Sequence, residues 1–154
     1  MSFLEWLEGS ALGLAISQTT WLMPLFNTIH ALGMTLLIGS ILFVSLRLLG
    51  VLMAQRPVRQ IAGETQRWTI TGLVTMVITG LLLFIPESLR WYGSIPFRVK
   101  MTFLLAAVVF HFTLFRKVTS GDKAGPLLCR ITGALALLLW FGVACGGRAI
   151  TFLE

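Results

Sequence analysis

Charge is scarce in this chain, and negative charge scarcest of all. Only 12% of its 154 residues are charged, and six are acidic against twelve Lys and Arg. A chain this short that is 56% apolar cannot be a soluble globular domain, because its surface-to-volume ratio is too high to hide so much apolar surface. Histidine and cysteine are rare as well. The two of each are dispersed along the chain, so no zinc-type cluster is expected. Cys129 and Cys145 lie on one predicted helix about 24 Å apart, which excludes a disulfide between them. A basic leader region is missing: Glu5 and Glu8 stand where one would be, so no cleavable secretory signal is expected. There is also no internal repeat, low-complexity stretch, nucleophile triad or phosphate-cradling loop. The net charge of +6 does not indicate a nucleic-acid partner, since the basic residues sit in short clusters between apolar runs rather than along one amphipathic face.

What is present is apolar sequence in span-length runs. The expected fold is all-α: a four-transmembrane-helix bundle with a short N-terminal interfacial helix, in one domain covering 1–154. Ser2 and Glu5 have capping-box spacing, and Trp6 suits an anchor at headgroup level, which predicts the interfacial helix over 2–16. Trp21 and Pro24 open a first span over 22–49, whose run from Leu25 to Leu46 carries no formal charge. After the break at Arg56-Pro57-Val58-Arg59, the second span is predicted over 68–85, closed by Pro86, and the third over 97–115. The fourth is predicted over 126–146, with Gly146-Gly147 as its stop. Short connections predict that consecutive helices are antiparallel neighbours.

Orientation is read from the cations. Arg47, Arg56, Arg59, Arg67, Arg116, Lys117, Lys123 and Arg130 all fall in or near the first and third connections between spans, against Arg90, Arg98, Lys100 and Arg148 at the other end. The positive-inside rule then predicts a multi-pass protein of the bacterial inner (cytoplasmic) membrane with both termini periplasmic.

Ionisable groups inside a span are expensive, so each is a candidate for function. His30 is the first. It lies about two turns into the first span, with Asn27 and Met34 on its face and Gly33 beside it. Lys100 is the second, at a depth within about 3 Å of His30 if helix rise alone is counted. Arg98 and Arg148 fall at the same outer end. Together they suit an amphiphilic anion, with the arginines pairing carboxylates bidentately. Each has a plainer alternative: His30 hydrogen-bonded across helices, Lys100 snorkelling to headgroups, the arginines pairing with lipid phosphates. His111 lies about 16 Å deeper than Lys100, so His30 and His111 are not expected to ligate one iron within one chain. His111 is expected to be structural or part of a second, inner site. Thr71, Thr75 and Thr79, flanked by Gly72 and Gly80, read as a helix-packing face.

The run from His30 through Arg47-Leu48-Leu49-Gly50, then Phe97-Arg98-Val99-Lys100 and Gly147-Arg148, resembles an uncharacterised bacterial family of four-helix membrane proteins. That family usually has an acid shortly before the Leu-Arg-Leu-Leu-Gly run, where this chain has Ser45. More distantly, His30, Lys100 and His111 are similar in order and spacing to HemJ-type protoporphyrinogen oxidases, small haem-b-binding membrane enzymes. That similarity implies that His30 ligates haem or holds a porphyrin, with Lys100 near an acidic group. Three readings follow. One is a membrane redox protein with haem b, or a related tetrapyrrole, on His30, its carboxylates held by Lys100, Arg98 and Arg148, and its electrons drawn from quinol or a partner subunit. The second is a cofactor-free accessory subunit that forms a homo-oligomer or docks on a larger membrane complex. The third is a small-solute or ion carrier using Asn27, His30 and Lys100.

Overall fold

Each helix begins and ends for a local reason. A computed structural model of the chain describes residues 2–121 and 123–153, the last five as backbone only. Helix α1 (Phe3–Glu8) starts in the expected capping box: the Ser2 hydroxyl accepts from the Glu5 amide, and the Glu5 carboxylate accepts from the Ser2 amide at 2.6 Å. Residues 2–16 are nevertheless two helices. The Ser10 hydroxyl donates to the Leu7 carbonyl at 2.6 Å and accepts from the Gly13 amide at 3.1 Å, so it closes α1 and opens α2 (Ala11–Gln18). Helix α3 (Leu22–Leu48) holds Pro24 in its first turn, where no amide is needed, and ends before Gly50, whose φ of +79° turns the chain. Arg47 braces that turn by donating to the carbonyls of Arg56 and Ala54.

Helix α4 (Val58–Phe84) starts ten residues before the 68–85 read from hydropathy. Its added turns carry Arg59, Glu64 and Arg67, and an Arg56–Glu64 ion pair at 3.6 Å. A helix does not have to stop where the apolar run does, and Ile61, 1% exposed, ties this extension to the core. A 3-10 turn (Ile85–Glu87) and α5 (Ser88–Gly93) follow. Helix α6 (Ile95–Phe110) is capped by the Ser94 hydroxyl and runs through a π-helical turn (His111–Phe115) into α7 (Arg116–Ser120), so the third span covers 95–120 rather than 97–115. Helix α8 (Pro126–Leu153) passes straight through Gly146-Gly147. Those glycines do not stop the helix. They admit Lys100, whose Cβ and Cα would lie 3.1 and 3.3 Å from a Cβ at position 146.

Among the described residues, four helices are long and apolar enough to cross a bilayer. Their outward faces are apolar at mid-span, with Leu32 65%, Ile78 53%, Leu105 68% and Leu138 63% exposed, a surface suited to lipid. Trp21, Trp68 and Tyr92 stand exposed near span ends, as an aromatic belt requires.

The packing order differs from sequential neighbours. Helix α3 lies along α4, α6 along α8, and α8 crosses α3, while α4 meets the third span chiefly through α7 at the basic end. Phe84 and Phe97 stack at the other end, with ring centroids 5.4 Å apart. Helices α1 and α2 pack on that same end: Ser88 donates to the Leu4 carbonyl at 3.1 Å, and the Leu89 amide to the Glu8 carboxylate at 2.8 Å. The middle of the α4–α6 seam is therefore the least packed part of the bundle.

Candidate ligand sites at two depths

The α3–α4 crossing sets the first site. A Cβ on Gly72 would stand 2.7 Å from the Leu37 amide nitrogen and 2.8 Å from the Gly33 carbonyl oxygen, so the two backbones touch here. With Gly33 fixed against Gly72 and Thr75, one antiparallel turn along brings His30 to Thr79. His30 Nδ1 is 2.8 Å from Thr79 Oγ1, and Thr79 Oγ1 in turn is 2.6 Å from the Thr75 carbonyl oxygen. A hydroxyl has one proton, and a carbonyl can only accept. With that proton on the Thr75 carbonyl, Thr79 accepts from His30, which places the imidazole proton on Nδ1 and leaves the lone pair on Nε2. This is the orientation by a partner that metal-binding histidines require.

Lys100 comes from the third span. Its Nζ stands 3.6 Å from where a Cβ on Gly147 would be, and His30 is close enough for the two to interact electrostatically. Helices α3 and α6, which carry the two residues, face each other across the bundle rather than packing. The other candidate residues are placed differently. Arg98 is exposed at the rim, where its Nε donates to the Tyr92 carbonyl at 3.1 Å and its guanidinium lies 5.5 Å from the Tyr92 ring centroid. Arg148 is exposed, one residue beyond Gly147. Asn27 is exposed, and Met34 packs against the apolar core. His30 and Lys100 are thus brought together, Arg98 and Arg148 stay at the same end, and Asn27 and Met34 do not join them. The partner that sequence reading missed is Thr79, taken as part of a packing face. Thr75 does serve that role, lying against Gly33.

The second site lies at the basic end. A cavity of about 230 Å³ opens between α4 and the third span, lined by Ile41 and Val44 of α3, Arg59, Thr65, Gln66 and Thr69 of α4, and His111, Phe115, Arg116 and Thr119. His111 begins the π-helical turn, a distortion that is common at functional positions. Its ring stacks on Phe115 at 5.0 Å, and its Nδ1 is buried with no hydrogen-bond partner. Ile41 and Val44 follow His30 by eleven and fourteen residues on one helix, so His30 and His111 are separated by about 16 Å or more in depth.

Among the described residues no three His, Cys, Asp or Glu side chains converge. The donor set on offer at the first site is one oriented imidazole. A bare ion asks for three or four protein ligands, whereas a haem iron, held by its macrocycle, asks for one or two.

Fold and sites together define a small four-span α-helical membrane protein with an oriented histidine in one half of the bundle and a histidine-lined cavity in the other. The chain belongs to a family of unknown function (DUF6644), whose sequence model matches residues 3–153. No curated protein and no solved structure matches it.

Proposed function

We propose that the protein is a small membrane redox protein that binds haem b, or a related tetrapyrrole, in the half of the bundle nearer α1 and α2, with His30 Nε2 as the axial ligand. The observation that carries this reading is the His30–Thr79–Thr75 chain, which turns Nδ1 to Thr79 and makes Nε2 the nitrogen to act as ligand. Thr79 holds the ring plane and selects the Nδ1-protonated tautomer, and Gly80 gives the ring clearance, since a Cβ there would approach His30 Cε1 to 3.4 Å. Lys100, beside His30, supplies the cation for a ring carboxylate. Arg98 and Arg148, at the same end, serve the rim, Arg98 by exchanging its Tyr92 contact for a carboxylate. Haem would supply one-electron chemistry, and the apolar shell around His30 would set its potential. The tetrapyrrole class also rests on the similarity of the His30, Lys100 and His111 pattern to HemJ-type enzymes.

The cation bias supports a bacterial cytoplasmic membrane with both termini periplasmic, which puts the His30 half outward and the His111 half inward. Quinol or a partner subunit is the electron source in this reading. The accessory-subunit reading drew on Gly72, Gly80 and the threonine face as an oligomer surface. Gly72 and Thr75 are used against α3, and Gly80 and Thr79 against His30, all within the chain.

The test is the visible spectrum of the protein in mild detergent, oxidised and then reduced with dithionite. A Soret band with sharpened α and β bands on reduction, lost in His30→Ala and shifted but retained in Thr79→Val, is the expected result. A featureless spectrum after haem is added to folded protein would overturn the proposal.

A further inference from the structure

The cavity at the basic end has walls of one character at the mouth and another inside. Arg59, Gln66 and Arg116 flank the mouth, all three exposed, and no acidic side chain among the described residues lines the cavity. Deeper in, the hydroxyls are already committed as donors: Thr65 to the Ile61 carbonyl at 2.8 Å, Thr69 to Ser40 at 2.9 Å, and Thr119 to the Arg116 carbonyl at 3.2 Å. Their oxygens remain available as acceptors. The cavity thus offers cationic donors outside and neutral acceptors inside. It also opens sideways. Ile70 and Phe112 belong to its lining yet are 44% and 46% exposed on the face turned to lipid, along the seam where α4 and α6 are least packed.

A ligand that matches all three features carries an anionic group, hydroxyl donors and an apolar chain. We propose that this cavity is a binding site for the headgroup of an anionic phosphoglycerol lipid. The phosphate sits against Arg116 with Gln66, the glycerol hydroxyls donate inward to Thr65, Thr69 and the His111 ring, and the acyl chains lie over Ile70 and Phe112. The volume of about 230 Å³ equals roughly eight waters at liquid density, which suits a group of this size. Basic pockets between spans at the cytoplasmic leaflet are where anionic lipid heads are held, and this end is the one that the cation bias turns inward. The site is independent of haem binding at His30.

The experiment is native mass spectrometry of the detergent-solubilised full chain with equimolar phosphatidylglycerol and phosphatidylcholine, alongside Arg116→Gln, Thr65→Val and Lys117→Gln. One phosphatidylglycerol per chain is expected to be retained over phosphatidylcholine by about tenfold or more, the scale of a charge-assisted contact. Arg116→Gln should lose about tenfold of that preference and Thr65→Val several-fold. Lys117→Gln, which removes the same charge from the adjacent position outside the cavity, should leave it unchanged. Equal retention of both lipids, or an equal loss in Arg116→Gln and Lys117→Gln, overturns the proposal, the second by showing that surface charge alone attracts the lipid. Displacement by millimolar glycerol phosphate or inorganic phosphate, with the same dependence on Arg116, overturns the lipid as the source and assigns the site to a soluble phosphate. Far-UV circular dichroism on each variant establishes that a lost lipid is not a lost fold.

Discussion

Replacing Gly72 with alanine tests the helix crossing on which the His30 site depends. The new methyl would stand 2.7 Å from the Leu37 amide nitrogen, 2.8 Å from the Gly33 carbonyl oxygen and 2.9 Å from Leu37 Cβ. Two of those three atoms are α3 backbone, which cannot swing aside as a side-chain tip does. Carbon atoms rest against other heavy atoms at about 3.5 Å, so the helices must part by roughly 0.7 Å. Overpacking of this sort costs about 1–3 kcal/mol, and unyielding backbone places it near the upper end. Alanine returns about 1 kcal/mol through its better helix propensity. The net expectation is a loss of about 2 kcal/mol, or roughly thirtyfold in the unfolding equilibrium. Gly39→Ala is the control: it lies in the same pair of helices, and nothing stands within 4 Å of its Cβ. It should be as stable as the parent, or more stable by up to about 1 kcal/mol. Reversible unfolding by SDS in mixed micelles, followed by tryptophan fluorescence, measures both. If Gly72→Ala unfolded at the same SDS fraction as Gly39→Ala, α3 and α4 would not touch at these glycines, and the register that brings His30 to Thr79 would be lost with them.

Removing the Thr79 hydroxyl as Thr79→Val should release the His30 tautomer, so that its ¹⁵N spectrum changes from an Nδ1-protonated pattern to a mixture, with about 1 kcal/mol of stability lost. Ser45 is fully buried and its hydroxyl has no partner, so Ser45→Ala should be neutral or stabilising by about 1 kcal/mol in the same SDS assay; a clear loss would reveal an unseen partner. Glu8→Gln weakens the acceptor for the Leu89 amide, and faster hydrogen exchange is expected in α1 and α2 with the spans unchanged. In a cysteine-free background, Gln55→Cys should react with an impermeant maleimide only from the cytoplasmic side and Tyr92→Cys only from the periplasmic side. The reverse pattern would invert the proposed orientation.

The spans were legible because lipid imposes a plain rule on sequence: a run of about twenty apolar residues has few other uses. Capping was legible too, at Ser2 and Glu5, where the chemistry is local. The errors share one physical cause, that a residue's role depends on what the fold brings opposite it. Gly146-Gly147 carries the pattern of a helix stop, yet becomes a seat for Lys100 once α6 lies alongside α8. Residues 58–67 look like a loop by charge, yet Ile61 buries one face and makes them helix. Thr79 looks like packing until the glycine crossing places it against His30. The packing order, by contrast, could not be counted from the sequence.

That order explains why the two candidate sites occupy opposite halves. Short connections allow α4 and α6 to be neighbours, but α3 takes α4 through Gly33 and Gly72, and α8 takes α6 through glycines facing Lys100. Helix α8 then closes on α3, with Gly133 so near Ser45 that a Cβ there would lie 2.9 Å from its carbonyl oxygen. Three of the four seams are thereby filled by backbone-close contacts, and the fourth, between α4 and α6, is held mainly at its ends. Phe84 on Phe97 closes one end and α7 the other. What remains of the seam reaches His111 from the basic side, and the π-helical turn lies at that place, where α6 hands over to α7. His30 faces the filled α3–α4 seam, which accounts for its having a fixed partner, whereas His111 borders the loose one, which accounts for a nitrogen without any. A ligand at the first site meets a seam already filled by backbone-close contacts, while a ligand at the second only has to fill space already open. Reconstitution should therefore be slower at the His30 site than at the cavity, and the order in which tetrapyrrole and lipid bind tests the difference between the two seams.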